Sequence, residues 1–225
     1  MPAVMTKVQS ADRNALKALG EHVRCRLAQD PAVYTLPVEG AEIFAVGEFA
    51  TSDECDRLMR MIDEVARPSD ISVGSYKDAF RTSYSGDFDS GDPFVRRISR
   101  RFDDLLGIDP AWGETIQGQR YLPGQEFKPH CDWFDTRADY WREEAAGGGQ
   151  RSWTAMLFLN AVEEGGATEF TELGVSVEPT PGTVLIWNNA DREGDVNWAT
   201  MHAGTPVRQG VKYVITKWYR TRSWQ

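Results

Sequence analysis

The 225-residue chain, 41% hydrophobic and 26% charged, holds apolar material for one core in the size range of a single β-rich domain. Its formal net charge of −9, from 25 basic against 34 acidic residues, repels a phosphate backbone, so no nucleic-acid partner is expected. Three cysteines, Cys25, Cys55 and Cys131, form no close pair, and there is neither a basic start followed by an apolar stretch nor a long uncharged apolar run, so we expect a soluble cytoplasmic protein without disulfides, leader or membrane span.

Between Ser10 and Ala28 the apolar residues Leu16, Leu19, Val23 and Leu27 recur at the spacing of one helix face. Asp30 to Gly40, with Pro31 and Pro37, predicts a connector, and Glu42 to Val46 a first strand. Residues 1–40 are therefore expected to be a helical extension and connector, and 41–225 the functional domain. Thr51 and Glu54 have capping-box spacing ahead of Cys55, Leu58, Met59 and Ile62, which predicts a second helix. A third should start at Asp92 and Pro93 and run through Phe94, Ile98, Phe102 and Leu105 to Gly107.

From Gln117 onward short β-branched and aromatic segments alternate with turn signals, which predicts a β-rich sandwich or barrel with the helices as supports. Strands are expected near Gln117–Tyr121, Phe127–Asp132, Thr154–Leu159, Thr168–Phe170, Val175–Val177, Thr183–Trp187, Met201–Ala203 and Val211–Tyr219.

Of the three histidines, His130 and His202 lie in this half, and His22 sits on the first predicted helix without a ligand-like partner and is assigned no function. In an extended segment His130 and Asp132 project to one side and Cys131 to the other. His202 is the remaining histidine available as a third ligand. Two histidines and one carboxylate leave three positions of a metal open, the donor set of non-haem iron(II) oxygenases. His-x-Asp alone is a weak signal, and a surface histidine beside a solvated aspartate has the same spacing.

On the last strand Lys212, Val214, Thr216, Trp218 and Arg220 share one face. A buried Lys212 needs an anion, which the far carboxylate of a keto diacid would supply; an edge lysine facing water would show the same periodicity. No acidic residue occurs from Gly204 to Gln225.

These motifs together resemble the prolyl 4-hydroxylase family of 2-oxoglutarate and iron(II) dioxygenases, over roughly Phe44 to Arg220. Gln119-Arg120-Tyr121 and Gly124-Gln125 precede His130-Cys131-Asp132, Glu163-Glu164-Gly165-Gly166 follows a strand, and His202-Ala203-Gly204-Thr205-Pro206-Val207 leads to Lys212 and then Lys217-Trp218. Arg81-Thr82-Ser83 and the helix start at Asp53-Glu54-Cys55 also fit that family. The resemblance implies a mainly β fold with flanking helices around a double-stranded β-helix, or jelly roll, of cupin-like form. It further implies Fe(II) on His130, Asp132 and His202, and 2-oxoglutarate as co-substrate held by Lys212 with Tyr121, Thr154 and Trp218. Arg81, Ser83 and Trp187 would lie toward the substrate entrance, and dioxygen and ascorbate would be further small-molecule partners.

The activity so implied is hydroxylation of a C–H bond, with a prolyl or similar residue of a peptide or protein as leading substrate, and Asp132 argues for hydroxylation because related halogenases leave that position empty. A free amino acid or small metabolite is the alternative substrate, and a non-catalytic sensor of metal or 2-oxoglutarate the alternative class. Zinc hydrolysis through the same ligands would leave Lys212 without a task. Two positions depart from the family: Phe127 stands where related peptide hydroxylases carry a tyrosine, and Arg220 where the animal collagen enzymes carry a histidine near the co-substrate.

Overall fold

Asp12 accepts a hydrogen bond from the Ala15 N–H and so starts helix α1 (Arg13–Leu27), which buries Leu16, Leu19, Val23 and Leu27, the face that the spacing marks. The structure, a computed structural model, describes residues 10–69 and 80–224; residues 1–9, on which the expectation of no leader rests, lie outside them. Strands β1 (Val33–Thr35) and β2 (Ile43–Val46) lead to helix α2 (Ser52–Val65). Here Thr51 and Glu54 form the capping box: each side chain accepts from the other residue's backbone N–H.

Strands β3 (Arg67–Pro68) and β4 (Tyr84–Asp87) precede helix α3 (Pro93–Leu106), which has Asp92 as its cap and Gly107, at φ 68°, as its stop. There follow β5 (Gln117–Tyr121), β6 (Phe127–His130), helix α4 (Trp141–Ala146), β7 (Arg151–Phe158), β8 (Glu164–Gly165) and β9 (Thr168–Phe170). The chain ends with β10 (Val175–Val177), β11 (Val184–Asn188), β12 (His202–Gly204), β13 (Val207–Gln209) and β14 (Lys212–Arg220).

Eight strands form one antiparallel sheet in the order β1-β2-β11-β7-β14-β5-β4-β3, and four form a second in the order β10-β9-β12-β6. The outer face of the large sheet carries Leu157, Ile186, Ile215 and Tyr219 and packs on Val23, Leu58, Ile98 and Phe102 of the helices. The inner face carries Ile43, Phe158, Leu185, Trp187 and Val214 and packs with Phe170 of the small sheet. Strands β7 and β11 are covered on both faces, so apolar residues dominate them and every residue but Arg151 is buried. The result is the expected mainly β fold with flanking helices, a double-stranded β-helix. The apolar face of α1 joins the same core through Leu19, Val23 and Leu27.

Several boundaries differ from the sequence expectations. The strand expected to reach Asp132 ends at His130; β6 is the edge strand of its sheet and contains Pro129, which has no N–H for a ladder. Strand β4, Tyr-Ser-Gly-Asp, has one apolar residue and is held by backbone pairing to β5, so no periodicity announced it. Helix α4 has 6 residues, too few for a helical period to show. At Gly165 (φ 77°) a Cβ would lie 2.2 Å from the Pro206 carbonyl oxygen, so only glycine fits the β8–β13 turn region.

Candidate metal centre

Strand β6 ends on His130, β12 begins on His202, and the antiparallel ladder between them sets the two residues directly opposite each other. Asp132 lies two residues beyond the end of β6. One ligand atom from each of the three residues falls within 4.8 Å of the others, the one such cluster among the described residues. Asp132 Oδ1 is 3.9 Å from His130 Nε2 and Oδ2 is 3.8 Å from His202 Nε2.

Each imidazole also has its Nδ1 within hydrogen-bond distance of a backbone carbonyl, Lys128 O at 2.8 Å for His130 and Thr200 O at 2.9 Å for His202. A carbonyl can only accept, so Nδ1 carries the proton and Nε2 presents its lone pair to the cluster. Burial, with His202 adding to it, lowers the His130 pKa to about 3, so this ring is neutral and competent as a ligand. Burial pushes the Asp132 carboxyl up, but His202, His130 and Arg151 outweigh it and hold it below the usual carboxylate range.

Lys212 shares a cavity with these three residues. Its side chain is 2% exposed, and Nζ donates to Thr168 Oγ1 at 3.3 Å. It lies 5.5 Å from the centre of the Tyr121 ring and 5.7 Å from that of Phe158. No carboxylate pairs with it among the described residues. Burial lowers its pKa to about 7, with only Glu178 acting the other way. A buried ammonium without a counter-ion is strongly disfavoured, so this corner of the cavity is built to receive an anion.

The other residues singled out in the sequence are distributed as follows. Tyr121, Trp187 and Trp218 line the cavity; the Tyr121 hydroxyl donates to Gln119 Oε1 at 3.0 Å, and Trp187 packs edge-on against His202 at 4.8 Å between centroids. The Trp218 indole N–H faces Asp132 from outside ordinary hydrogen-bond geometry. Thr154 sits behind Asp132 and donates to its Oδ2 at 2.8 Å, off the cavity wall.

Arg81 stacks on Phe127 at 4.8 Å and donates to Ser83 Oγ and Gln117 Oε1 at 3.0 and 3.1 Å. Ser83 is 1% exposed and also bonded to Ser69 Oγ at 2.9 Å. Phe127 lies flat on His130, with centroids 3.6 Å apart and planes at 19°. Arg220 lies beyond the cavity: it stacks on Phe134 at 4.5 Å and pairs with Glu114 at 3.3 Å and with Glu144.

The sequence reasoning missed Gln119, Thr168, Thr216, Arg151 and Asn189. Gln119 was within reach, since alternation puts it on the same face of β5 as Tyr121. Thr216 was named on the lysine-bearing face of β14 without a role, and it accepts from Gln119 Nε2 at 3.2 Å inside the cavity.

Residues 116–220 match the family model described as "2OG-Fe(II) oxygenase superfamily". Over this segment, from the residue before β5 to the end of β14, the chain is similar to that superfamily and is prolyl 4-hydroxylase-like. Prolyl 4-hydroxylase subunit alpha-1 of Rattus norvegicus is 39% identical over 189 residues, 82% of this chain and 33% of that protein. Prolyl 4-hydroxylase subunit alpha-2 of Caenorhabditis elegans is 29% identical over 181 residues, 80% of this chain and 32% of that protein. The chain thus spans about a third of the length of these curated relatives. Among solved structures, the viral collagen prolyl hydroxylase of Paramecium Bursaria Chlorella virus-1 in its 2OG complex matches with a TM-score of 0.62 at 28% identity, covering 79% of this chain and 95% of that one. A prolyl hydroxylase of Trichoplax adhaerens shares the fold at 14% identity, with a TM-score of 0.60 over 92% of this chain and 91% of that one.

Proposed function

We propose that this chain is an Fe(II)- and 2-oxoglutarate-dependent dioxygenase that hydroxylates a prolyl or similar residue in a peptide or protein. The observation that carries the reading is the placement of Lys212, buried and without a counter-ion, in the same cavity as a His-Asp-His set with inward lone pairs. The donor set fits iron with positions left open, and the orphaned ammonium fits a dicarboxylate. Zinc chemistry would use the first feature and leave the second unexplained.

His130, Asp132 and His202 would hold the metal, and Lys212 the far carboxylate of 2-oxoglutarate. When bound, iron and 2-oxoglutarate supply the oxidising power that places one oxygen atom of dioxygen in a C–H bond, 2-oxoglutarate leaving as succinate and carbon dioxide. The chain's own part is positional. The carbonyls of Lys128 and Thr200 keep both imidazoles turned lone-pair-inward. Lys212, with Thr168 and Tyr121 around it, fixes the co-substrate end. The rings of Phe127 and Trp187, packed on the two histidines, keep bulk water from the reacting atoms.

The substrate assignment is supported by similarity to prolyl 4-hydroxylase alpha subunits and to a viral collagen prolyl hydroxylase. Arg81, which faces Phe127 across an isolated β-bridge, and Ser83, which accepts from the Arg81 guanidinium, are assigned to the entrance side. Phe127 offers an aromatic face without a hydroxyl, so peptide contacts there are apolar. A cytoplasmic setting, which the free thiols of Cys25, Cys55 and Cys131 fit, and ascorbate as reductant belong to the same proposal.

Mass spectrometry of proline-containing peptides and of free proline, each incubated with the protein, Fe(II), ascorbate and 2-oxoglutarate, tests the reading. A gain of one oxygen on a peptide supports it. A gain on the free amino acid alone moves the substrate class, and binding of metal and 2-oxoglutarate without substrate-stimulated succinate makes the protein a sensor.

A further inference from the structure

The geometry points to Asn189 and Thr154 as a directional hydrogen-bond chain that fixes Asp132 as the metal's carboxylate ligand, so that Thr154 is a positioning residue acting through Asp132 and not a contact of the co-substrate. This inference rests on the metal reading above and deepens it.

Thr154 Oγ1 donates to Asp132 Oδ2 at 2.8 Å and accepts from Asn189 Nδ2 at 2.9 Å. All three side chains are buried, Thr154 fully and Asn189 to within 1%. The ionised Asp132 carboxylate can only accept, so the single hydroxyl proton of Thr154 goes to it, and the hydroxyl's lone pair then needs a donor. The Asn189 amide nitrogen is that donor.

The direction is set at the other end of the same amide. Asn189 Oδ1 is buried and makes no hydrogen bond. Turning the amide over would bring Oδ1 against Thr154 Oγ1, acceptor against acceptor, and would leave the threonine without a donor. The orientation that leaves one buried oxygen unpaired is therefore the one that completes the chain to Asp132, and an unpaired buried acceptor persists only where something compensates it. The Asn189 backbone is pinned independently: its N–H donates to Ser152 O at 2.8 Å, and its carbonyl accepts from the Asn197 N–H at 2.9 Å.

Thr154 is likewise fixed between Trp187 of β11 and Trp218 of β14 by register on both sides. With Oδ2 held by Thr154, the Asp132 carboxylate is fixed in orientation and would hold the metal from that position.

The experiment uses the intact protein and Mn(II) as probe, with binding read by competition against a fluorescent chelator and 2-oxoglutarate binding read separately at saturating Mn(II). Thr154→Val, which keeps the shape and removes the hydroxyl, and Asn189→Asp, which replaces the donor by an acceptor, should each weaken Mn(II) binding by about 10- to 100-fold, as loss of a ligand's supporting partner does elsewhere. Thr154→Ser should restore wild-type binding, and 2-oxoglutarate affinity of the metal-loaded variants should stay at the wild-type value. Weakened 2-oxoglutarate binding with Mn(II) binding intact would overturn the inference and make Thr154 a co-substrate contact. Should Asn189→Asp fail to fold, the Thr154→Val and Thr154→Ser pair carries the same test. A wild-type protein that binds no Mn(II), or binds it equally after His202→Ala, would overturn the metal reading itself, and with it this inference.

Discussion

His202 faces His130 across the ladder between β12 and β6, and each ring turns its Nδ1 to the carbonyl of the residue two positions before it. The metal-facing geometry is therefore written into the strand register: shifting either strand by one residue would turn its histidine to the opposite face of the sheet.

The first prediction concerns that register. His202→Ala should remove Fe(II) binding and turnover together, while the fold survives because the neighbouring Ala203 and Gly204 keep the ladder to β9. Equilibrium dialysis with Fe(II) under anaerobic conditions, paired with circular dichroism, checks it. Metal retained at wild-type affinity would show that the third ligand lies elsewhere.

The second concerns the anion. Lys212→Ala should raise the 2-oxoglutarate requirement by about 10- to 100-fold, the range that loss of a charge-assisted hydrogen bond of about 1.5–3 kcal/mol gives. Fe(II) binding should be unaffected. Steady-state kinetics at varied 2-oxoglutarate measure this, and an unchanged dependence would remove Lys212 from its role.

A third follows from the same side chain when no anion is bound. An unfolded lysine takes up its proton below about pH 10.4, whereas Lys212 in the fold does so only near 7. Between these values the unfolded chain binds the extra proton, so Lys212 makes the ligand-free protein lose stability as pH falls from about 10 to about 7, with the full penalty present below that window. Lys212→Met should flatten this part of the stability profile and raise the melting temperature at pH 7. Urea unfolding across the pH range reads both, and identical profiles for the two proteins would contradict the buried, unpaired ammonium.

A fourth separates the second lysine of β14 from the first. Lys217 points to the helical side, where it pairs with Asp103 and donates to Ser99 Oγ at 2.7 Å, while the Tyr219 hydroxyl donates to Asp103 at 2.8 Å. Asp103→Ala would strand a buried ammonium and should destabilise the fold by about 3–5 kcal/mol. Pairing Asp103→Leu with Lys217→Met should recover most of that loss. Denaturant titration of the single and double variants measures the coupling, and a small single-variant effect would mean that the ion pair is not sealed from water.

Much of the site was legible in the sequence because its chemistry rests on scarce residue types and period-two alternation. His130 and Asp132 do come together, although by a different local route: the strand stops at His130, and Asp132 reaches the cluster from the segment beyond. Alternation also sorted β14, placing Lys212, Val214, Thr216 and Trp218 on the cavity and leaving Tyr213, Ile215 and Tyr219 outside it.

What the sequence did not show depends on register between distant strands. Thr154 meets Asp132 because β7 lies between β11 and β14, and Arg151 meets Glu114, 37 positions away, at 2.7 Å only once the sheet has formed. No local pattern encodes such pairs. The same holds for β4, whose polar sequence becomes a strand through backbone pairing with β5 on one side and β3 on the other.

The most direct test of the whole account is the charge-transfer absorption of the anaerobic protein titrated with Fe(II) and then 2-oxoglutarate, which reports a keto acid chelating a protein-held ferrous ion. The wild type should show the band, His202→Ala should lack it, and Lys212→Ala should show it only at much higher 2-oxoglutarate. A wild-type protein without the band, or a His202→Ala variant that keeps it, would contradict the assignment of these side chains.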